Sequence, residues 1–426
     1  MHYFLGVDFG TSGVRAFVID ENNSVCAQTS VKLPPSKIIN HHQTQNPLDW
    51  WNAFTRLLNE LNTIFPLLNV CSICIDGTSG SVLLSDSNGE IKSPAYMYND
   101  NANKTSAKKI ESVAPDNHLT SSSSSSLAKC ISLISDFSIP NALCLNQADW
   151  LTGCLLKRFD FSDENNSLKM GYDAKLQQWP NWMNKLDITA SLPKFVFQAG
   201  DLIGQIAPSV AEQFGFNPSV KIIAGTTDSI AATIAVKDLE IGTAVSSLGS
   251  TLVIKIVSDK PIDDAKFGIY SHRFGDVWLV GGASNCGGAV LRQFFDDQQI
   301  QQLSNTINPN KLTGLDYYPL SSPGERFPIN NPDLIPILSP RPNNDSVFFQ
   351  AILEGIAKVE HLAYEKLVAL GAPKPKKIMS LGGGSRNENW RIIREKICGI
   401  PIINAEIDEA AYGAALLAKQ GFLRQQ

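Results

Sequence analysis

The sequence predicts a mixed α/β protein built from two similar domains. Three observations carry this. The chain has 426 residues, 43% of them apolar, which at about 150 residues per domain leaves room for two or three domains or two large ones. Short apolar runs bounded by glycine alternate with longer helix-like stretches. Phe4–Asp20 and Ala244–Asp259 share one grammar, an apolar strand, a Gly/Ser/Thr corner and a second apolar strand ending in Asp, with Gly10 and Gly249 239 residues apart. Such an echo points to a duplicated domain, each half offering a glycine-rich hairpin toward a shared cleft.

The first half reads as strands at Tyr3–Asp8, Val14–Asp20 and Val25–Lys32, then a helix over Leu48–Ile64 after Pro47, since proline suits a first helical turn. Val70–Asp76 and Ser81–Ser85 read as strands around Gly77-Thr78-Ser79-Gly80. The serine tract Ser121–Ser126 is either a flexible loop or the N-cap of a helix at Leu127–Phe137. In the second half, Lys221–Ala224 is a short strand and Asp228–Ala235 a helix. Ala244–Leu248 and Thr251–Val257 are strands, followed by Val277–Val280 as a strand and Gly287–Phe295 as a helix. Val347–Leu370, Asn387–Cys398 and Glu409–Lys419 read as helices, with a strand at Ile378–Leu381. Pro319–Pro342 is a long proline-rich loop, a length that is usually functional.

The charge balance, 36 basic against 41 acidic residues for a net −5, supplies no basic face, so nucleic acid is not an expected partner. No apolar run reaches the roughly 18 residues that span a membrane, and nothing resembles a signal segment. Cys71 and Cys74 spell CxxC, but on a strand their thiols point to opposite faces, and no second cysteine pair completes a zinc site. Eight reduced thiols in a cytoplasmic protein are expected.

Four segments carry chemistry. Asp8-Phe9-Gly10-Thr11-Ser12-Gly13 lies between two strands. It is either a tight hairpin or a phosphate cradle, with Gly10 and Gly13 freeing backbone N–H groups, Thr11 and Ser12 adding hydroxyls, and Asp8 holding a hydrated Mg²⁺. No Gly-Lys-Ser/Thr follows it, and the next element is a strand, so it is neither a Walker A loop nor a dinucleotide fingerprint. Gly249, Ser250 and Thr251 form the matching corner in the second half. Asp228, opening a helix after Gly225-Thr226-Thr227, is either an N-cap or a general base for phosphoryl transfer. Leu381 to Asn387 holds three glycines that let a flat ligand lie on the backbone, while Asn387 bonds a base or caps the helix.

Taken together these segments resemble the FGGY family of carbohydrate kinases, within the actin, Hsp70 and sugar-kinase superfamily. The likeness runs over almost the whole chain. Asp8–Gly13 resembles the family's first phosphate motif, Gly225–Asp228 its catalytic-Asp segment, Leu248–Thr251 its second phosphate motif and Gly324-Glu325-Arg326-Phe327-Pro328 its Gly-Glu-Arg-x-Pro loop. Gly281–Phe295, Leu353–Ala357 and Gly382–Asn387 resemble the remaining signatures. The sugar side departs from the pattern. Gly77-Thr78-Ser79-Gly80 stands where many xylulokinases have Gly-Gln-Met-His-Gly. Tyr98-Asn99-Asp100-Asn101-Ala102 lacks the Trp and Arg of their loop, and Lys129-Cys130-Ile131-Ser132 lacks the Trp of the Lys-apolar-x-Trp signature. The chain is also short for those enzymes, and Asp76-Gly77-Thr78-Ser79-Gly80, Gly225–Ser229 and Ser284-Asn285-Cys286-Gly287-Gly288 look most like the compact cyanobacterial and plant branch, whose members act on D-ribulose.

The resemblance implies two actin-like (ribonuclease H-like) domains flanking a cleft: residues 1–222 with the sugar site and first phosphate motif, and 223–426 with the nucleotide site and catalytic Asp. It implies ATP and Mg²⁺ as co-substrate and cofactor, and D-ribulose as the sugar converted to D-ribulose 5-phosphate. D-xylulose or a polyol is the alternative substrate, and a non-catalytic sugar sensor or a nucleotide-driven binding protein the alternative function. Asp228 is the implied base. Asp8, Ser79, Asp100 and Asp228 are the implied sugar contacts. Gly10, Thr11, Ser12, Gly13, Gly249, Ser250, Thr251, Gly383, Gly384 and Asn387 are the implied ATP contacts, and Asp8 holds the metal through water. A monomer or homodimer, cytoplasmic or in the plastid stroma of a plant, is expected.

Overall fold

The computed structural model describes residues 1–237 and 239–425. They form two compact units. The first holds Met1–Ala235, Arg273–Gly275 and Glu409–Gln426, and the second Val236–His272 and Asp276–Asp408.

The first unit is built on a sheet in the order Leu202–Gln205, Lys221–Ile223, Val70–Gly77, Tyr3–Phe9, Gly13–Ile19, Val25–Lys32. Tyr3–Phe9 runs antiparallel to Gly13–Ile19 but parallel to Val70–Gly77, and Lys221–Ile223 extends the parallel part. The central strands are buried on both faces, as their unbroken apolar runs require. On one side lies the helix Pro47–Ile64, started by Pro47 and by Asn46, whose side chain accepts from Leu48 N at 3.1 Å. Its buried residues Trp50, Ala53, Phe54, Leu57, Leu58 and Leu61 recur at helical spacing and meet the sheet's Val7, Phe9 and Val14 in one core. A second sheet, Lys37–Ile39, His42–Gln45, Ala95–Tyr96, Val82–Ser85, Leu143–Asn146, completes the unit. The helix Ser126–Phe137 packs on it, and the serine tract proves to be a cap, with Ser125 Oγ accepting from Ala128 N at 3.0 Å.

The last helix, Ala410–Leu423, returns to the first unit. It crosses Tyr3–Phe9 at Gly6, where a Cβ would lie 2.1 Å from Ala411 O. It also meets the helix Asp228–Ile234 at Gly413, where a Cβ would lie 1.8 Å from Ala231 O. Backbone-to-backbone packing this close admits only glycine.

The second unit repeats the plan. Its six-stranded sheet runs Tyr270–Phe274, Val277–Ser284, Leu252–Ser258, Thr243–Leu248, Lys377–Leu381, Ile402–Asn404, antiparallel from Val277–Ser284 to Thr243–Leu248 and then with two parallel additions. The helix Asp345–Ala369 fills its core. The segment expected as a helix over 287–295 is instead a short 3₁₀ stretch, Gly288–Gln293. Its start is held by the neighbouring hairpin, Gly288 N donating to Gly249 O at 2.9 Å and Ala289 N to Ser250 O at 3.2 Å. The strand expected at Val277–Val280 continues to Ser284 because it pairs with the whole of Leu252–Ser258.

Filling the Gly413 contact should destabilise the first unit. Gly413→Val is expected to cost about 1–3 kcal/mol or more through overpacking, read as a lower urea midpoint. An unchanged midpoint would show that the helix is not seated against Ala231.

Candidate functional site

Parallel strands place equivalent positions side by side at their carboxyl ends, where α/β folds bind ligands. Here the register sets Asp8 opposite Asp76, and Gly77 opposite Thr227 just before Asp228. Asp8 is 4% exposed and Asp76 fully buried. Asp8 Oδ1 and both carboxylate oxygens of Asp76 are buried without a hydrogen-bond donor. As two carboxylates they only repel, and a hydrogen bond between them requires that one keep a proton. Burial first, then the charge of Asp228, push the Asp8 carboxyl up to about 6, against the hydrogen bond with Asp76 and the charge of Arg15, which lower it. Burial and the charge of Asp8 push Asp76 well above the carboxylate range. Asp76 is therefore the partner that holds the proton, and Asp8 the one that ionises. Arg15 lies directly across the hairpin from Asp8, with Nη1 3.5 Å from Oδ2.

Asp228 is the first residue of its helix, and Thr227 occupies the cap position. Its carboxylate is half-buried, with Oδ1 accepting from Ser229 N at 2.7 Å. A further buried acid, Asp163, caps the helix Glu164–Leu168, and burial pushes it up to about 6. Among the described residues no group of three or more His, Cys, Asp or Glu side chains is arranged to hold a metal. The Asp8 carboxylate, the one that ionises and the one that keeps some exposure, nevertheless suits a hard cation that keeps most of its water.

The turn Gly10–Gly13 beside Asp8 closes with Gly10 N donating to Gly13 O at 3.0 Å. Gln45, itself held by Trp50 Nε1 at 2.9 Å, braces it by donating to Thr11 O at 3.0 Å, and Ser12 is exposed. On the sugar-side loop, Thr78 is fully engaged, its N and Oγ1 both donating to Gln147 Oε1 at 3.0 and 2.8 Å. Ser79 is half-buried, and its hydroxyl has no partner among the described residues. Asp100 is buried and already occupied: Oδ1 accepts from Gln43 N at 3.0 Å and Oδ2 from Asn103 Nδ2 at 2.6 Å, with His42 Nδ1 3.0 Å away.

In the second unit Thr243–Leu248 and Lys377–Leu381 run parallel, so the Gly249–Thr251 corner and the Gly382–Asn387 segment leave one edge together. Gly249 and Ser250 are exposed, as is Gly383. The corner is fixed from below: a Cβ on Gly287 would lie 2.5 Å from Ser250 O, so Gly287 lets the two backbones touch. Glu325, 2% exposed, anchors that support. It accepts from Ser284 Oγ at 2.6 Å, Asn285 N at 2.8 Å and Tyr318 Oη at 2.9 Å, which is what the long proline-rich loop delivers. Asn387 caps its helix by accepting from Trp390 N at 3.0 Å and donates Nδ2 to Ser304 Oγ at 2.9 Å.

The first unit brings Asp8, Thr11 and Asp228 to one end of its sheet, Asp228 lying there and not in the second domain expected over residues 223–426, and the second unit brings the Gly249 and Gly383 segments to one end of its own. Sequence reasoning missed Asp76, although a second Asp ending a strand next to Gly77 was a visible signal. It missed Gln45 and Gln147, which nothing in the local sequence marks. All eight cysteines are unpaired thiols, six of them buried, and no helix among the described residues is long and apolar enough to cross a membrane.

Comparison with known proteins agrees with this geometry. Residues 3–135 match the N-terminal domain, and residues 244–420 the C-terminal domain, of the FGGY family of carbohydrate kinases. The chain is 25% identical over 457 residues to the xylulose kinase of Bacillus subtilis (strain 168), covering 99% of this chain and 88% of that protein. It is 23% identical over 428 residues to the xylulose kinase of Escherichia coli (strain K12), covering 93% and 85%. In fold it is similar to the crystal structure of a xyloylose kinase from Brucella ovis, with a TM-score of 0.89 at 21% identity over 99% of this chain and 91% of that one. The structure is thus a two-domain actin-like α/β fold, and the chain belongs to the FGGY family of carbohydrate kinases.

Proposed function

We propose that this protein transfers the γ-phosphoryl group of ATP to the terminal hydroxyl of D-ribulose, giving ADP and D-ribulose 5-phosphate. The observation that carries a kinase reading is the acidic end of the first sheet: Asp8 poised to ionise beside Asp76, with the half-buried Asp228 at the next strand exit. Asp228 takes the proton of the sugar hydroxyl as its oxygen attacks the γ-phosphorus and the bond to the bridging oxygen of ADP breaks. Asp8, with Asp76 behind it, would hold Mg²⁺ through water, and the ion when bound would neutralise phosphate charge. The Gly10–Gly13 turn and the Gly249–Thr251 corner offer N–H and hydroxyl groups to the phosphates. Gly383 and Gly384 line the nucleoside end, where Asn387 acts chiefly by capping its helix. Ser79, with its unengaged hydroxyl, contacts the sugar, and Asp100 supports that loop through its bonds to Gln43 and Asn103.

D-Ribulose rests on the sugar-side loop. A short Ser79 in place of a bulky donor alters which C3 epimer fits, and D-ribulose and D-xylulose differ only there. The names of the relatives make D-xylulose the second reading. A cytoplasmic location is part of this proposal.

Three outcomes are expected. Asp228→Asn keeps ATP binding but loses about 10²- to 10⁴-fold in turnover, because an amide cannot accept the proton; near-normal turnover would leave Asp228 as a helix residue only. Because Asp8 is active when ionised and titrates at about 6, kcat/KM falls about tenfold per pH unit below that point, and raising Mg²⁺ moves this limb to lower pH, since metal binding competes with the proton. A limb that ignores Mg²⁺ would separate Asp8 from the metal. Finally, kcat/KM for D-ribulose exceeds that for D-xylulose, and Ser79→Ala lowers D-ribulose turnover. Coupled ADP-release assays on both sugars check this, and equal or reversed preference would overturn the D-ribulose assignment alone.

A further inference from the structure

One buried cation joins the two loops of the sugar side. Lys129, on the helix Ser126–Phe137, is fully buried. Its Nζ donates to Gly80 O at 2.7 Å, at the end of the loop carrying Ser79, and to Tyr98 O at 3.2 Å, two residues before Asp100. It forms no ion pair among the described residues, so its hydrogen-bond partners are these two carbonyls. Ser81 fastens the same junction from the other side. Its Oγ accepts from Tyr98 N at 3.0 Å and shares a 2.6 Å hydrogen bond with Thr78 Oγ1, which in turn reaches Gln147. Ser79 is therefore held between two anchored neighbours, Thr78 and Gly80, while its own hydroxyl stays unengaged.

Burial, and after it the charge of Lys169, push the Lys129 ammonium down to about 7. Desolvation opposes this charge, and no ion pair among the described residues offsets that cost. What it does supply is a fixed distance between two loops.

We propose that Lys129 is a positioning residue for the sugar: by holding the carbonyls of Gly80 and Tyr98 it sets where the Ser79 hydroxyl stands, and so governs sugar affinity without touching the reacting atoms. This rests on the reading of Ser79 as a sugar contact.

The test is steady-state kinetics of wild type, Lys129→Met and Ser81→Ala on D-ribulose, D-xylulose, glycerol and gluconate, with the KM of ATP measured in parallel and ATP-induced thermal stabilisation as the check on folding. In both variants the KM of the sugar that the wild type uses should rise about tenfold or more, the loss expected when a polar anchor is removed. The KM of ATP should stay within about twofold, and ATP should still raise the melting temperature. A sugar KM that stays put, or sugar and ATP constants that rise together, would overturn the proposal. If Lys129→Met does not fold, Ser81→Ala decides alone. A wild type that phosphorylates none of these compounds overturns the kinase reading and this inference together. A wild type active on any of them, with variants unmoved in sugar KM, overturns only the inference.

Discussion

The parallel pairing of Tyr3–Phe9 with Val70–Gly77 is the constraint on which the first unit's chemistry depends. A one-residue slip would turn Asp8 or Asp76 to the opposite face of the sheet. In register, the two acids lie together almost wholly out of water. Two adjacent charges there are untenable, so the pair divides the work, one carboxyl protonated and the other poised to lose its proton. The hairpin that carries Asp8 also brings Arg15 opposite it, which keeps the ionised form within reach.

The second unit uses the same strand plan without the acids. At its parallel junction Ser246 stands opposite Ser380. Arg394 binds Glu360 through two contacts of 2.6 and 2.7 Å and donates to Ser380 Oγ at 2.7 Å, while Ser246 Oγ donates to Glu360. This buried, mutually satisfied network locks two strands to the helices Asp345–Ala369 and Glu388–Cys398, the framework that carries the glycine segments. One copy of the plan presents charge, and the other presents backbone.

Much of this was legible in the sequence. The two hairpins could be read to within a residue or so because an apolar run interrupted by a glycine corner has few other solutions, and Val25–Lys32 was read to its ends. Asp8, Asp228 and the glycine segments stood out because each interrupts or ends an apolar element. Features that depend on distant parts of the chain were not legible. Gly287–Phe295 has helical spacing, but its glycines are claimed by a hairpin almost 40 positions upstream. Asp100 looked available from its loop, yet Gln43, almost 60 residues earlier, occupies it. Lys129 reads as a degraded signature until the loops on either side of its amine are seen.

The return of Ala410–Leu423 to the first sheet has a consequence for how the molecule is made. On a ribosome the strands of the first unit emerge early, yet the helix that covers Gly6 and backs the Asp228 helix is translated only after the second unit has passed. Until then the apolar face around Phe4 and Gly6 is an unfinished surface. The acidic end of the sheet therefore gains its final support only after the second unit has been made, and until then the Asp228 helix lacks its backing.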